Sequence, residues 1–199
     1  IRENRLPTQK KPQRLLKDEE MRELELSKIH NFTSRRYIED GYVISIANWF
    51  AVPKGESDVR VVFNFKSSGL NDALFAPNFF LPTNEDLTNL LTDSSWMVDS
   101  DCGEQFYCFT EDQGILPYVG VDLTAIGRLK DPSSKTDYKR WGRLGQGVKH
   151  SPYKAQRGML FAKEITRGNR LDQTNPFHWT KVMTNYPGTA NYNPVMPRV

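Results

Sequence analysis

Two aspartates that follow the apolar run 96–98 are the best candidates for metal chemistry in this sequence. Asp99 and Asp101 share one face of an extended strand, so either one is a possible ligand and the other a solvated neighbour. A strand-end carboxylate suits Mg²⁺, which takes few protein carboxylates and completes its shell with water and phosphate oxygens. Phe106 follows Asp101 by five positions. The segment predicts a magnesium-binding carboxylate, with a purely structural strand-end aspartate as the alternative.

Two other segments offer groups that suit a phosphorylated ligand. Lys54 lies in a predicted turn and Arg60 on the strand that returns from it, so both cations can face an anion such as a triphosphate. Gln146 lies between two glycines in a loop that leads into a helix. Glycines permit close backbone approach to a ligand, and a glutamine amide both donates and accepts hydrogen bonds. Each segment alone also fits an ordinary hairpin or connection.

In their order along the chain, these segments resemble the fingers and palm of reverse transcriptases, over roughly residues 42–167. The run from Arg60 to Asn64 resembles the family's R-x-x-x-D strand, and the pair at 70–71 resembles its Leu-Asn pair. Asp101 with Phe106 resembles the first catalytic motif, an aspartate followed five positions later by an aromatic residue. The string LGQGVKHSPY is similar to L-P-Q-G-x-x-x-S-P and is the most specific match. The resemblance fits best a retroelement polyprotein.

Three positions depart from the family pattern. Asn64 stands where many members have Asp, Gly145 where they have Pro, and His150 where Gly is frequent. The third catalytic motif, x-Asp-Asp on a hairpin, has no counterpart, because no Asp-Asp pair occurs in the sequence. We therefore expect a chain that is truncated before this motif, within the palm, and that polymerises poorly or not at all.

The resemblance implies DNA synthesis by two-metal nucleotidyl transfer, in which a primer 3′-hydroxyl attacks the α-phosphate of a deoxynucleotide. It implies that Asp101 is the catalytic carboxylate that bridges both Mg²⁺ ions and that the backbone carbonyl of Cys102 adds a metal ligand. Phe106 would lie under the incoming sugar and exclude a ribose 2′-hydroxyl. Because Asp101 is the one carboxylate present from the family's metal-binding set, we expect weak Mg²⁺ binding.

The same resemblance assigns the cationic and amide groups. Lys54 and Arg60 would neutralise the triphosphate, and Gln146 would contact the incoming nucleotide or the template. A basic region near the glycine loop would meet the RNA or DNA template–primer backbone, which requires charge and no sequence readout. Its residues are Arg140, Trp141, Arg143 and Lys149.

Other functions stay open at this point. A domesticated, inactive remnant would serve as a structural or nucleic-acid-associated subunit of a larger protein assembly. A basic domain with a coincidental set of motifs is a third reading. Whether the chain is an enzyme is therefore uncertain.

The charge distribution separates the chain into three parts. Residues 1–38, 39–120 and 121–199 have net charges of +4, −10 and +9, within a total of +3. Such a chain can gather cations in one place and polyanions in another; alternatively, the basic flanks neutralise the acidic middle. No apolar run is long enough for a membrane helix, so we expect a soluble, intracellular protein of unknown compartment. Cys102 and Cys108 are expected to be free, half-buried thiols.

The elements that must position these residues indicate an α+β fold: an antiparallel-sheet palm with a fingers β-hairpin and flanking helices, an incomplete right-hand polymerase. A helix is predicted over 13–30, a hairpin on either side of a turn at 53–57, and a helix over 151–167. A short helix over 85–91 and strands at 96–101 and within 115–127 are also predicted, with a basic loop over 130–147. We divide the chain into an arm and helix (1–38), a fingers-like region (39–95), a partial palm (96–167) and a loop-rich tail (168–199).

Overall fold

The computed structural model describes residues 1–55, 57–81, 83–85, 88 and 101–178. Its contacts divide the chain into two compact units. Unit 1 comprises Ile1–Pro77 and Gly103–Ala155, and unit 2 comprises Asn78–Cys102 and Gln156–Val199. Both units join segments that are distant in sequence. The linear boundaries after residues 38, 95 and 167 stay predictions.

The strands of unit 1 form a three-stranded antiparallel sheet and a separate hairpin. In chain order they are β1 (Ile38–Glu39), β2 (Trp49–Lys54), β3 (Asp58–Phe63), β4 (Gly120–Asp122) and β5 (Tyr138–Trp141). The sheet has the order β1-β5-β4, and β2 pairs with β3. In β3 the buried positions Val59, Val61 and Phe63 alternate with outward-facing ones, which is the period of a strand with one buried face. The predicted hairpin is confirmed.

The helices whose full extent lies within the described residues are α1 (Glu19–Ser34), α2 (Leu70–Ala73), α3 (Thr124–Lys130) and α4 (Ser151–Arg167). Short 3-10 turns lie at Glu3–Arg5, Gln105–Cys108 and Leu116–Tyr118. The Asp18 side chain accepts a hydrogen bond from the Met21 N–H at 2.8 Å and caps α1, so this helix begins six residues later than predicted from 13–30. The predicted bounds of α4 are confirmed. Together these elements confirm a mixed α+β fold with small antiparallel sheets.

Two local predictions over 115–147 are corrected. Residues 138–141, predicted as loop, form β5, because Trp141 is fully buried and β5 pairs with both β1 and β4. The turn predicted after β4 is the helix α3, which basic residues in its last turn favour. The helix predicted over 85–91 and the strand predicted over 96–101 fall largely outside the described residues.

Aromatic rings from three segments of unit 1 pack around Trp141 of β5. Phe32 and Tyr107 meet it edge to face, with ring centroids 5.1 Å away in each case, and Phe63 lies at 4.8 Å. Such pairs contribute about 0.5–1.5 kcal/mol each beyond the area they bury. The core thus fixes α1, β3, β5 and the 3-10 turn at Gln105–Cys108 in one body. Trp141 is 0% exposed, so its predicted contact with nucleic acid is wrong.

Within the part of the chain that the structure describes, no helix is both long and apolar enough to span a lipid bilayer.

Candidate nucleotide-binding site

The outer face of the β2–β3 hairpin combines apolar and basic side chains. The cross-strand pairs are Phe50 with Val62, Val52 with Arg60, and Lys54 with Asp58. Phe50 and Val52 are 46% and 41% exposed, and Arg60 is also exposed. The buried face of the hairpin belongs to the core, so this outer face is held on a fixed support.

The two predicted cations of the hairpin differ in their surroundings. Lys54 Nζ lies 3.8 Å from Asp58 Oδ2, and Lys28 approaches the other oxygen of Asp58 at 3.3 Å. Burial acts to raise the pKa of Asp58, but hydrogen bonds from Val59 N–H and Lys28 and the two lysine charges lower it below its ordinary value. Arg60 makes no ion pair with another described residue. Its charge is therefore available to a ligand, whereas that of Lys54 is partly compensated.

Phe106 lies in the 3-10 turn Gln105–Cys108. The turn begins after Glu104, whose backbone is left-handed with φ 54°, and Arg35 forms an ion pair with the Glu104 carboxylate. Phe106 is half-buried and packs against the core, while the next residue, Tyr107, is buried within it. Burial raises the pKa of Tyr107, Glu104 raises it further, and the charge of Arg60 partly opposes both. Tyr107 and Phe63 of β3 both pack against the Trp141 ring, so the 3-10 turn and β3 contact the same part of the core.

The Gln146 loop is docked against the end of β3. The N–H of Phe63 donates a hydrogen bond to the Gln146 carbonyl at 3.3 Å. Gly147 has φ +103°, and a Cβ added there would lie 2.4 Å from the Phe63 carbonyl oxygen. Only glycine fits so close to the strand in this conformation. The Gln146 side chain is half-exposed and makes no hydrogen bond to another described residue.

Unit 1 therefore contains the hairpin, the 3-10 turn and the glutamine loop, which carry Lys54, Arg60, Phe106 and Gln146. The loop meets the hairpin at Phe63, whereas Lys54 lies at the other end of the hairpin, opposite Asp58. The pattern of the sequence predicted these segments separately. Their contacts depend on the path of the chain between them, so no local signal reveals the hydrogen bond between Phe63 and Gln146.

Asp101 and Cys102 belong to unit 2, and both are exposed. Asp99, the alternative ligand, lies outside the described residues. Cys102 and Cys108 are free and exposed, so the prediction of half-buried thiols is wrong. Among the residues that the structure describes, no three His, Cys, Asp or Glu side chains are grouped as a metal site. The roles of Asp101 and Cys102 in metal binding stay predictions.

The predicted nucleic-acid contacts differ in how far their charges are engaged. Arg140 Nε donates to Glu39 Oε1 at 2.8 Å, across the β1–β5 pair. The Arg143 guanidinium lies over the Tyr37 ring, 5.3 Å from its centroid. The Lys149 side chain is exposed, and its backbone N–H is hydrogen-bonded. Lys149 is thus the freest of the three cations.

The sequence did not predict that Glu111 is buried beside His150, which lies at the end of the glutamine loop. The Glu111 side chain is 0% exposed; its oxygens lie 3.0 Å from His150 Nε2, and one of them is 2.9 Å from Lys154 Nζ. Burial acts to raise the pKa of Glu111, but the hydrogen bond and charge of His150, with Lys154 and the Asp112 N–H, lower it overall. His150, which departs from the family pattern, is here the buried partner of Glu111. The contact fixes the first turn of α4 next to the loop.

No protein-family model and no curated protein sequence matches the chain. Among solved structures it is similar to a foamy viral protease-reverse transcriptase (dRH) in complex with double-stranded DNA. The two share 15% sequence identity with a TM-score of 0.53, over 78% of this chain and 25% of that one. The chain thus spans about a quarter of the length of its structural neighbour. This likeness shows that the chain has a reverse-transcriptase-like fold.

Proposed function

We propose that this chain is the fingers and palm region of a reverse-transcriptase-like protein and that it binds a deoxynucleoside triphosphate beside a template–primer. The observation that supports this most directly is the hydrogen bond between Phe63 and Gln146, which joins the basic hairpin to the glutamine loop. These are the two segments whose motifs match nucleotide-binding parts of the family. In the parent protein they would serve template-directed DNA synthesis.

In this proposal, Arg60 binds the triphosphate. A guanidinium presents donors in a planar fork that matches phosphate oxygens, and no carboxylate among the described residues competes for it. Lys54 adds charge at the hairpin turn, and Gln146 supplies a directional amide to the nucleotide or the template. Phe106, held against the core at one side, acts as the gate against a 2′-hydroxyl.

The nucleic-acid backbone is the proposed partner of Lys149, Arg143 and Arg140. The structural neighbour was solved with double-stranded DNA, which agrees with a partner of this kind. Such contacts neutralise phosphates without reading bases, so affinity should fall steeply with salt.

Asp101 is the proposed Mg²⁺ ligand, together with the Cys102 carbonyl. Its carboxylate is exposed and therefore accessible to a hydrated cation. Two-metal transfer requires several carboxylates, and one does not make such a site. We therefore assign this chain nucleotide and nucleic-acid binding, with the chemical step left to the parent protein.

Titration of the 199-residue chain with a deoxynucleoside triphosphate and Mg²⁺ tests the proposal. Arg60→Ala should weaken binding about tenfold, equivalent to about 1.4 kcal/mol, because a charge-assisted contact to phosphate is lost. Lys17→Ala is the matched control, since it removes one exposed charge outside the site. Equal affinities of wild type and Arg60→Ala would count against the assignment.

Phe106→Ala provides a second test of the proposal, in which the measured quantity is sugar preference and does not depend on charge. The wild type should prefer deoxynucleotides to ribonucleotides, and the variant should lose that preference. Binding of a template–primer without any affinity for nucleotide would instead favour the alternative, a nucleic-acid-associated structural subunit.

A further inference from the structure

The Asn71 side chain connects α2 to the glutamine loop through both ends of its amide. Its Nδ2 donates to the Gly147 carbonyl at 2.9 Å, and its Oδ1 accepts from the Lys149 N–H at 2.9 Å. The two partners lie on either side of Val148, so one amide spans the loop just after Gln146. A side-chain amide offers a donor and an acceptor on two separate atoms, as these two contacts require.

The helix that holds Asn71 is itself fixed. Leu70 and Ala73 are 0% exposed, and the Asn71 N–H lies 3.3 Å from the Phe65 carbonyl that it donates to. Asn71 therefore links the loop by hydrogen bonds to a helix that the core holds in place. With the hydrogen bond from the Phe63 N–H to the Gln146 carbonyl, the backbone of the loop is held at Gln146 itself and at the residues that follow it.

The Gln146 side chain, in contrast, has no hydrogen-bond partner among the described residues. A side chain on an ordered backbone loses less conformational entropy when it binds a ligand than one on a mobile loop. We propose that Asn71 is a positioning residue for Gln146: it sets the shape of residues 146–149 before the nucleotide arrives. This inference rests on the proposed function for the role of Gln146, whereas the effect on loop order does not.

Hydrogen exchange of the nucleotide-free chain measures loop order directly. Asn71→Ala should speed exchange of the Lys149 N–H about tenfold or more, because that donor loses its acceptor and the loop opens more often. Asn71→Asp keeps an acceptor for Lys149 and should retain part of the protection, although it loses the donor to Gly147. Unchanged exchange in Asn71→Ala would overturn the inference, whether or not the wild type binds nucleotide.

Asn48→Ala is the matched control. The Asn48 amide donates to the Lys11 carbonyl at 3.1 Å and to Gln13 Oε1 at 3.2 Å, so the substitution removes hydrogen bonds of similar kind elsewhere in unit 1. It should leave exchange at Lys149 as in the wild type. Equal acceleration in both asparagine variants would indicate general destabilisation and contradict a specific role for Asn71.

A double-mutant cycle on nucleotide affinity then separates positioning from general stability. Asn71→Ala and Gln146→Ala should each weaken binding about 5- to 10-fold, and the double variant should bind no more weakly than Gln146→Ala alone. If the fold reductions in affinity of the two single variants multiply in the double variant, Asn71 acts independently of Gln146. That result would overturn the inference. A wild type without affinity for nucleotide would refute the proposed function, while the exchange measurement would still decide whether Asn71 orders the loop.

Discussion

Replacing Gly147 with alanine tests how tightly the glutamine loop is seated on β3. Gly147 has φ +103°, and the added Cβ would lie 2.4 Å from the Phe63 carbonyl oxygen. Real Cβ contacts are essentially never shorter than 3.0 Å, so loop and strand must separate by at least about 0.6 Å. The atom in the way is backbone, which cannot rotate aside as a side chain can.

Two costs add to the free energy of folding. A non-glycine residue at this φ costs about 1–3 kcal/mol, and overpacking against the strand costs about 1–3 kcal/mol more. The variant should therefore lose about 2–6 kcal/mol of stability. At roughly 2–4 °C per kcal/mol for a chain of this size, the thermal midpoint should fall by roughly 4–24 °C.

Gly55→Ala is the matched control, because Gly55 also has a positive φ of 69° but no atom within 4 Å of the added Cβ. It should show only the backbone cost, about 1–2 kcal/mol. Thermal unfolding followed by circular dichroism compares the two variants. Exchange of the Phe63 N–H, which donates to Gln146, reports the local separation in Gly147→Ala. Equal midpoints for the two variants would refute the close contact between Gly147 and Phe63.

Two further substitutions test buried acids. Burial raises the pKa of Glu25, against the opposing hydrogen bond from Trp49 Nε1 at 2.7 Å. Stability is then greatest below the ordinary carboxyl pKa and falls as pH rises through the raised value. In urea unfolding, the stability of Glu25→Gln relative to the wild type should therefore increase over that rise in pH. A pH-independent difference would contradict this. Glu111→Gln should cost about 3 kcal/mol at neutral pH, because it leaves His150 and Lys154 without their carboxylate. Since the pKa of Glu111 is lowered, its contribution is present above the ordinary carboxyl pKa and lost as pH falls through the lowered value. The urea midpoints of wild type and Glu111→Gln should therefore converge in acid, and a constant gap would argue against the ion pair.

Local signals predicted the elements that depend on neighbouring residues. The hairpin follows from alternation in β3 and the turn before it, and α4 follows from Ser151-Pro152 at its start. β5 was not predicted, because 138–141 is basic and polar except for Trp141. Its strand conformation depends on pairing with β1 and β4, which lie distant in sequence.

The residues of the candidate site could be predicted from the sequence, but the contacts between them could not. Motif spacing pointed to Arg60, Phe106 and Gln146, because residue type and order along the chain are visible in a sequence. The contacts of Asn71 with the loop join residues 76 and 78 positions apart, and those of Glu111 with His150 join residues 39 apart. The resemblance drew attention to Asn71 and His150, but nothing in the local pattern shows which residues they contact or that Glu111 is buried.

The ion pairs show what the uneven charge distribution does in the folded chain. Acids of the segment 39–120 are bound by cations of both flanks, and five such acid–base combinations are present among the described residues: Glu104 with Arg35, Asp58 with Lys28, Asp40 with Lys139, Glu39 with Arg140, and Glu111 with Lys154.

The basic flanks therefore neutralise part of the acidic middle, which was one of the two readings of the charge pattern. Exposed pairs contribute little stability each, but they remove cations from the pool available to a polyanion. Arg60 and Lys149 have no carboxylate partner in the described part of the chain, whereas Arg140 does. If phosphate binding depends on uncompensated charge, then Arg60 and Lys149 should dominate it, and Arg140 should contribute mainly by holding Glu39 in the β1–β5 pair.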